Sequence, residues 1–121
     1  MPSLLIVDDE VEACESLKFF LEMKDWKVRT AHDGLSGINA VREFVPDLVL
    51  LDIQFKGGMD GWGALKEMKK ITPYIKVLIL TGSVQEAGLE QQVKESGALG
   101  LITKPIPIDT LEPTLHSYIQ K

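Results

Sequence analysis

Cysteine is nearly absent from this chain, and its single copy, Cys14, excludes both an intramolecular disulfide and a zinc site built on paired cysteines. Histidine is scarce as well. His32 and His116 are the two copies, and with no carboxylate or second histidine read at ligand spacing, a solvated or hydrogen-bonded role is expected for both. The chain also lacks a basic excess: 13 Lys and Arg stand against 18 Asp and Glu, a net charge of -5. That balance argues against direct nucleic-acid binding, which relies on clustered cations. No apolar run approaches the roughly 18 residues of a membrane span, and no basic start leads into a signal-peptide core. A cytoplasmic protein without membrane contact is expected.

The composition that remains, 45% hydrophobic and 26% charged, is that of a folded globular domain. A length of 121 residues suits one domain, expected to span 1–121. Four aliphatic residues in "SLLIVDDE", Ser3 to Glu10, run straight into three carboxylates. Such a run reads as a strand buried on both faces, which brings its acidic end close to the interior. Like charges crowded there need a cation, a metal or helix N–H groups to offset lost hydration.

The same pattern recurs down the chain. An amphipathic helix follows, with Val11, Cys14, Leu17, Phe20 and Leu21 at helical spacing; Cys14 is expected to be a buried, inert thiol there. "WKVRTA" alternates apolar and polar residues, as an edge strand does. Asp33 caps a second predicted helix carrying Leu35, Ile38, Val41, Phe44 and Val45 on one side and stopping at Pro46. "LVLLD" ends on Asp52, and a glycine-bearing loop, "QFKGGMDG", precedes a third helix from about Asp60 with Trp62, Leu65 and Met68 on a stripe. "KVLILTGS" ends in the hydroxyls of Thr81 and Ser83. "QEAGLEQQVKESG" reads as a weaker helix, with Gly88 inside it and its stop at Gly97. "LGLITK" ends on Lys104, and the last helix starts at or after Asp109, with Pro113 in its first turn and Leu111, Leu115, Tyr118 and Ile119 facing inward. Trp26 and Trp62 read as core or core-edge residues, and "KEMKK", Lys66 to Lys70, as a solvated helix face.

Strand and helix alternate five times, which reads as an α/β doubly wound domain with a parallel sheet and helices on both faces. Two strand orders suit five such units; the edge character of "WKVRTA" favours the flavodoxin-like order 2-1-3-4-5. Ligands bind such sheets outside the carboxyl ends of the strands. This chain places Asp8 and Asp9, Asp52, Thr81 and Lys104 there. Each alone has a structural explanation: a helix cap, a turn cap, a strand-end hydroxyl, a solvated rim lysine. Together they suit phosphoryl chemistry on a carboxylate, with clustered acids as hard-oxygen ligands for Mg²⁺ and a cation and hydroxyl for the developing charge.

"VDDE", "VLLD", "LTG" and "TKP", in that order over essentially the whole chain, resemble the receiver domain of two-component response regulators. The resemblance implies that Asp52 is the phosphoacceptor, taking a phosphoryl group from the phosphohistidine of a sensor histidine kinase or phosphotransfer protein. It implies Mg²⁺ held by Asp9 and Asp52 directly, Asp8 through water, and the main-chain carbonyl of Gln54. By the same resemblance Thr81 moves toward the phosphoryl group, Lys104 pairs with it, and the Lys104–Pro105 bond is cis. Phosphorylation would then change a partner-binding face formed by the fourth helix, fifth strand and fifth helix, for a downstream protein or a fused output domain. A monomer or weak dimer is expected, with self-catalysed phosphotransfer and dephosphorylation rather than enzyme turnover.

The chain departs from the family in two places. Leu101 stands where a tyrosine or phenylalanine is common, and Phe55 and Lys56 occupy the usual Met-Pro positions. Gln54 and Ser83 sit at positions that resemble those setting phosphate lifetime. The main alternative function is a phosphorylation-independent docking module on the same fold. A phosphatase of the haloacid dehalogenase type needs two aspartates two residues apart, whereas Asp8 and Asp9 are adjacent. A flavin site would need hydroxyls, glycines and N–H donors where this chain has "DDEVEA".

Overall fold

The computed structural model describes residues 1–54, 60–82, 88–104 and 106–119. Five strands and five helices alternate: β1 (Ser3–Val7), α1 (Val11–Glu22), β2 (Lys27–Ala31), α2 (Gly34–Glu43), β3 (Leu48–Asp52), α3 (Gly61–Ile71), β4 (Val77–Thr81), α4 (Leu89–Ser96), β5 (Gly100–Thr103) and α5 (Ile108–Ile119). The strands form one parallel sheet in the order β2-β1-β3-β4-β5. This is the doubly wound, flavodoxin-like arrangement, with "WKVRTA" at the edge.

The continuous apolar runs are explained by the two cores they serve. Successive strand side chains point to opposite faces. Leu5, Val7, Val49, Leu51, Val77 and Ile79 therefore meet Ile38, Val41, Leu65 and Met68 on one side. Leu4, Ile6, Leu48, Leu50, Leu78 and Leu80 meet Cys14, Leu17, Leu21, Leu111 and Leu115 on the other. Asp33 and Asp60 cap α2 and α3 by accepting from Ser36 N at 2.7 Å and Gly63 N at 2.8 Å. The Ser36 N–H holds the Asp33 carboxyl below its usual range. Gly97 ends α4 in the left-handed conformation, φ 87°. Trp26 is buried as expected, and its indole N–H donates to Glu112 Oε2 at 3.0 Å. Among the described residues, no helix is long and apolar enough to cross a membrane.

Several sequence expectations are corrected. Val11, Leu35 and Val45 are exposed rather than inward. The buried face of α2 is rotated toward Gly34, Gly37, Ile38 and Val41, because Gly37 lets the helix pack close to Val7. That helix ends at Glu43, since Phe44 is extended (φ -151°, ψ 143°) and packs under the Arg29 guanidinium at 4.6 Å. Gly88 lies at the N-cap of α4 with φ 83°, a conformation glycine adopts without strain, and not within the helix. The last helix starts at Ile108, one residue earlier than expected; Pro113 is inside it and leaves the Asp109 carbonyl without its helical donor. His116 does have a carboxylate one turn away: its Nδ1 is 2.9 Å from Glu112 Oε2. Within "KEMKK", Lys69 is only half-exposed and donates to the Ile75 carbonyl. The expectations for Phe55, Lys56, Ser83 and the Lys104–Pro105 bond lie outside the described residues.

Candidate functional site

Register brings the polar strand ends together. Val7 pairs with Leu51, Asp52 with Leu80, and Thr81 with Thr103. Asp8, Asp52, Thr81 and Lys104 therefore emerge along one edge, extended by backbone bonds from Ile53 N to Leu80 O and from Lys104 N to Thr81 O. Among the described residues, the buried polar side chains are Asp8, Asp52 and Thr81. All three stand at this edge.

One ammonium serves several acids. Lys104 Nζ lies 2.8 Å from Asp8 Oδ2, 2.9 Å from Asp52 Oδ2 and 3.1 Å from Glu10 Oε1. Burial by itself pulls the lysine pKa down, but the hydrogen bonds it donates to Asp8, Asp52 and Glu10 outweigh this and hold the group above its usual range. The remaining carboxylate oxygens are also used: Asp8 Oδ1 accepts from Glu10 N at 3.0 Å, and Asp52 Oδ1 from Gln54 N at 2.8 Å. Gln54 Oε1 in turn accepts from Gly82 N at 3.3 Å. Asp9, Glu10, Asp52, Gln54, Gly82 and Lys104 line an open cavity of about 320 Å³.

Carboxylate oxygens of Asp8, Asp9 and Asp52 lie within 4.8 Å of one another. Hard oxygen donors in such a group are the kind that Mg²⁺ takes. Below this edge the main chain is held by small contacts. The Asp8 carbonyl meets His32 Nδ1 at 3.1 Å and Cys14 Sγ at 3.4 Å. Gly61, the first residue of α3, packs against the main chain of Asp52 and Ile53, and a Cβ there would stand 2.6 Å from Asp52 O.

The sequence-derived set, Asp8, Asp9, Asp52, Gln54, Thr81 and Lys104, thus converges on one edge. Three contributors were missed. Glu10, for which a cation, a metal or helix N–H groups stood open in sequence, makes no side-chain cap bond at the α1 N-cap and pairs with Lys104. Gly82 enters through its N–H, which no side chain announces. Gly61 enters through a close approach, for which the Asp60-Gly61 step after the loop is the sole signal.

Comparison with known proteins agrees with this geometry. The description "Response regulator receiver domain" matches residues 4–116. The transcriptional regulatory protein ZraR of Klebsiella oxytoca is 39% identical over 112 residues, which cover 93% of this chain and 25% of that protein. The chain therefore spans about a quarter of the length of that regulator. Sporulation initiation phosphotransferase F of Bacillus subtilis is 36% identical over 116 residues, covering 96% of this chain and 92% of that one. A CheY-like response regulator receiver domain protein from Methanospirillum hungatei superposes with a TM-score of 0.90 at 25% identity, over 98% and 94% of the two chains. Vibrio cholerae chemotaxis protein CheY4 does so with a TM-score of 0.88 at 25% identity, over 97% and 98%. With strand order, strand-end acids and sequence matched over nearly its whole length, the chain belongs to the response regulator receiver domain family.

Proposed function

We propose that this chain is a phosphorylation-switched signalling domain, a single unit over 1–121, in which Asp52 accepts a phosphoryl group. The observation that carries the proposal is the buried Asp52 carboxylate, 2.9 Å from Lys104 and with an oxygen within 4.8 Å of carboxylate oxygens of Asp8 and Asp9. A carboxylate oxygen of Asp52 attacks phosphorus of a phosphohistidine on a sensor histidine kinase or phosphotransfer protein. The P–N bond breaks, its electron pair returns to the imidazole, and an acyl phosphate remains on Asp52. Lys104 donates to an oxygen of the transferred group, and the Thr81 hydroxyl on the adjacent strand supplies another donor.

Asp8, Asp9 and Asp52 would hold Mg²⁺, with the main-chain carbonyl of Gln54 added by family resemblance. Bound there, the ion would supply positive charge against the phosphoryl oxygens. Phosphorylation replaces the single charge of the carboxylate with about two on the phosphoryl oxygens, which the Lys104 and Thr81 donors bind more strongly than the bare carboxylate. That difference in contact biases the face of α4, β5 and α5. Leu101, half-buried in β5 against the core, stands in place of a rotating aromatic, so output rests on movement of α4. The match to a quarter of the transcriptional regulatory protein ZraR supports a downstream partner or fused output domain.

Intact mass after incubation with a small acyl phosphate and Mg²⁺ tests this. A gain of one phosphoryl group that chelator and Asp52→Asn abolish is expected. No gain under any condition overturns it in favour of a phosphorylation-independent docking module.

A further inference from the structure

Gln54 is held to both walls of the cavity beside Asp52. Its main-chain N–H donates to Asp52 Oδ1 at 2.8 Å, while its side-chain Oε1 accepts from Gly82 N at 3.3 Å. Gly82 directly follows β4, so one exposed side chain ties the end of β4 to the acceptor loop. Among the described residues, a Cβ built on Gly82 would meet only that same Oε1, at 3.5 Å. The glutamine oxygen is what occupies this side of the cavity.

A phosphoryl group on Asp52 brings three acceptor oxygens into a space with few donors among the described residues. The Lys104 ammonium already serves Asp8, Glu10 and Asp52. The Gly82 N–H faces the same cavity, and its present partner is a neutral amide oxygen at the long end of hydrogen-bond distances. An anionic phosphoryl oxygen is the stronger acceptor.

We infer that the Gln54 side chain is an exchangeable latch: it holds the Gly82 N–H while Asp52 is unmodified and yields that donor to a phosphoryl oxygen. This rests on Asp52 being the acceptor. Gln54 is then a positioning residue that sets the balance between the two states by competing for one N–H. A competitor can be removed or strengthened. Gln54→Ala takes it away; Gln54→Glu puts a charged acceptor in its place that also repels an incoming anion.

The test is a titration of beryllium fluoride, a noncovalent mimic of the acyl phosphate, into the Mg²⁺-loaded protein. Amide resonances of wild type, Gln54→Ala and Gln54→Glu are followed, with Mg²⁺ affinity measured separately for each so that occupancy is matched. Because Gln54 is exposed, both variants keep the core intact. Binding is expected to tighten about three- to tenfold in Gln54→Ala, the range of one net hydrogen bond, and to weaken in Gln54→Glu. In wild type the Gly82 amide proton should move downfield on saturation. In the free Gln54→Ala protein it should lie upfield of the wild-type position. An unmoved Gly82 amide at saturation, or equal or weaker binding by Gln54→Ala, overturns the latch while leaving the acceptor assignment standing. Failure of wild type both to bind the mimic and to gain a phosphoryl group overturns the acceptor assignment and the latch with it.

Discussion

Lys104 Nζ stands 2.9 Å from Asp52 Oδ2 although their strands are not neighbours: β4 separates β3 from β5. Two strand spacings of about 4.8 Å each separate the chains. The lysine side chain and the shorter aspartate side chain together close that gap, and the ammonium arrives where Asp8 is already buried. The ammonium is thus the internal counter-ion of the site.

That role predicts a metal-dependent stability defect. Lys104→Met leaves Asp8 and Asp52 buried together without their cation, and is expected to cost about 3 kcal/mol in the presence of chelator. Mg²⁺ should recover much of this loss. Urea unfolding with chelator and with Mg²⁺ measures both values, and equal losses would show that Lys104 does not serve as counter-ion.

Metal binding should itself be visible as stabilisation. At 100 times the dissociation constant a bound ion adds about 2.7 kcal/mol. Thermal melts of wild type are expected to rise with Mg²⁺, and those of Asp9→Asn to rise far less. A full response in the variant would place the cation elsewhere.

Gly61 is expected to tolerate no side chain. In Gly61→Ala the new methyl meets the main chain of Asp52 and Ile53, which gives way only by moving Asp52. Overpacking of this kind costs about 1 to 3 kcal/mol, and beryllium fluoride affinity should fall with it. A variant that binds the mimic as wild type does would show that the end of β3 adjusts without moving the carboxylate.

Acid should loosen the contact between Trp26 and α5. The Trp26 indole N–H, with a further contribution from His116, holds the Glu112 carboxyl below its ordinary value of 4.5. Because the folded value is depressed, this group's stabilisation is present above pH 4.5 and is lost as pH falls through the folded value. Glu112→Gln is expected to flatten that acid limb and to cost about 1 kcal/mol near neutrality. Chemical unfolding across the acid range, followed by tryptophan fluorescence in a Trp62→Phe background, reads both; an unchanged acid slope would show that the carboxylate makes no net contribution.

Cys14 should be inert in the native state. Burial, reinforced by the nearby Asp8 charge, pushes its thiol up to about 12. A thiol reagent at about pH 8 is therefore expected to modify Cys14 only after unfolding, since the thiolate is the reactive form. Stoichiometric labelling of folded protein at a rate close to that of the denatured chain would contradict this burial.

Much of the fold could be read because it rests on local periodicity. Aliphatic runs ending on acids, hydroxyls or a lysine identified β1, β3, β4 and β5, and alternation marked β2 as an edge. Asp33 and Gly97 marked helix limits through chemistry that one residue carries. Helix phase was harder. Leu35 and Val45 read as part of the apolar set of α2, but the glycine at 37 turned a side of the helix without Leu35 toward Val7, and the helix ends at Glu43, before Val45. Glu10 was open for a similar reason: an acid at a helix start interacts favourably with the dipole wherever the helix lies, so its sequence position does not say whether a cation such as Lys104 meets it.

Residue order by itself determined which side chains end each strand, since a run that must be buried on both faces can place its polar groups only at its ends. It thereby determined that Asp8, Asp52, Thr81 and Lys104 share an edge once the strands lie parallel. The tertiary structure alone decided which oxygen meets which donor. Bonds such as Lys104 to Glu10 and Gln54 to Gly82 depend on strand register and on how closely α3 approaches β3 at Gly61. Those distances are set by packing among residues remote in sequence, so no local pattern records them.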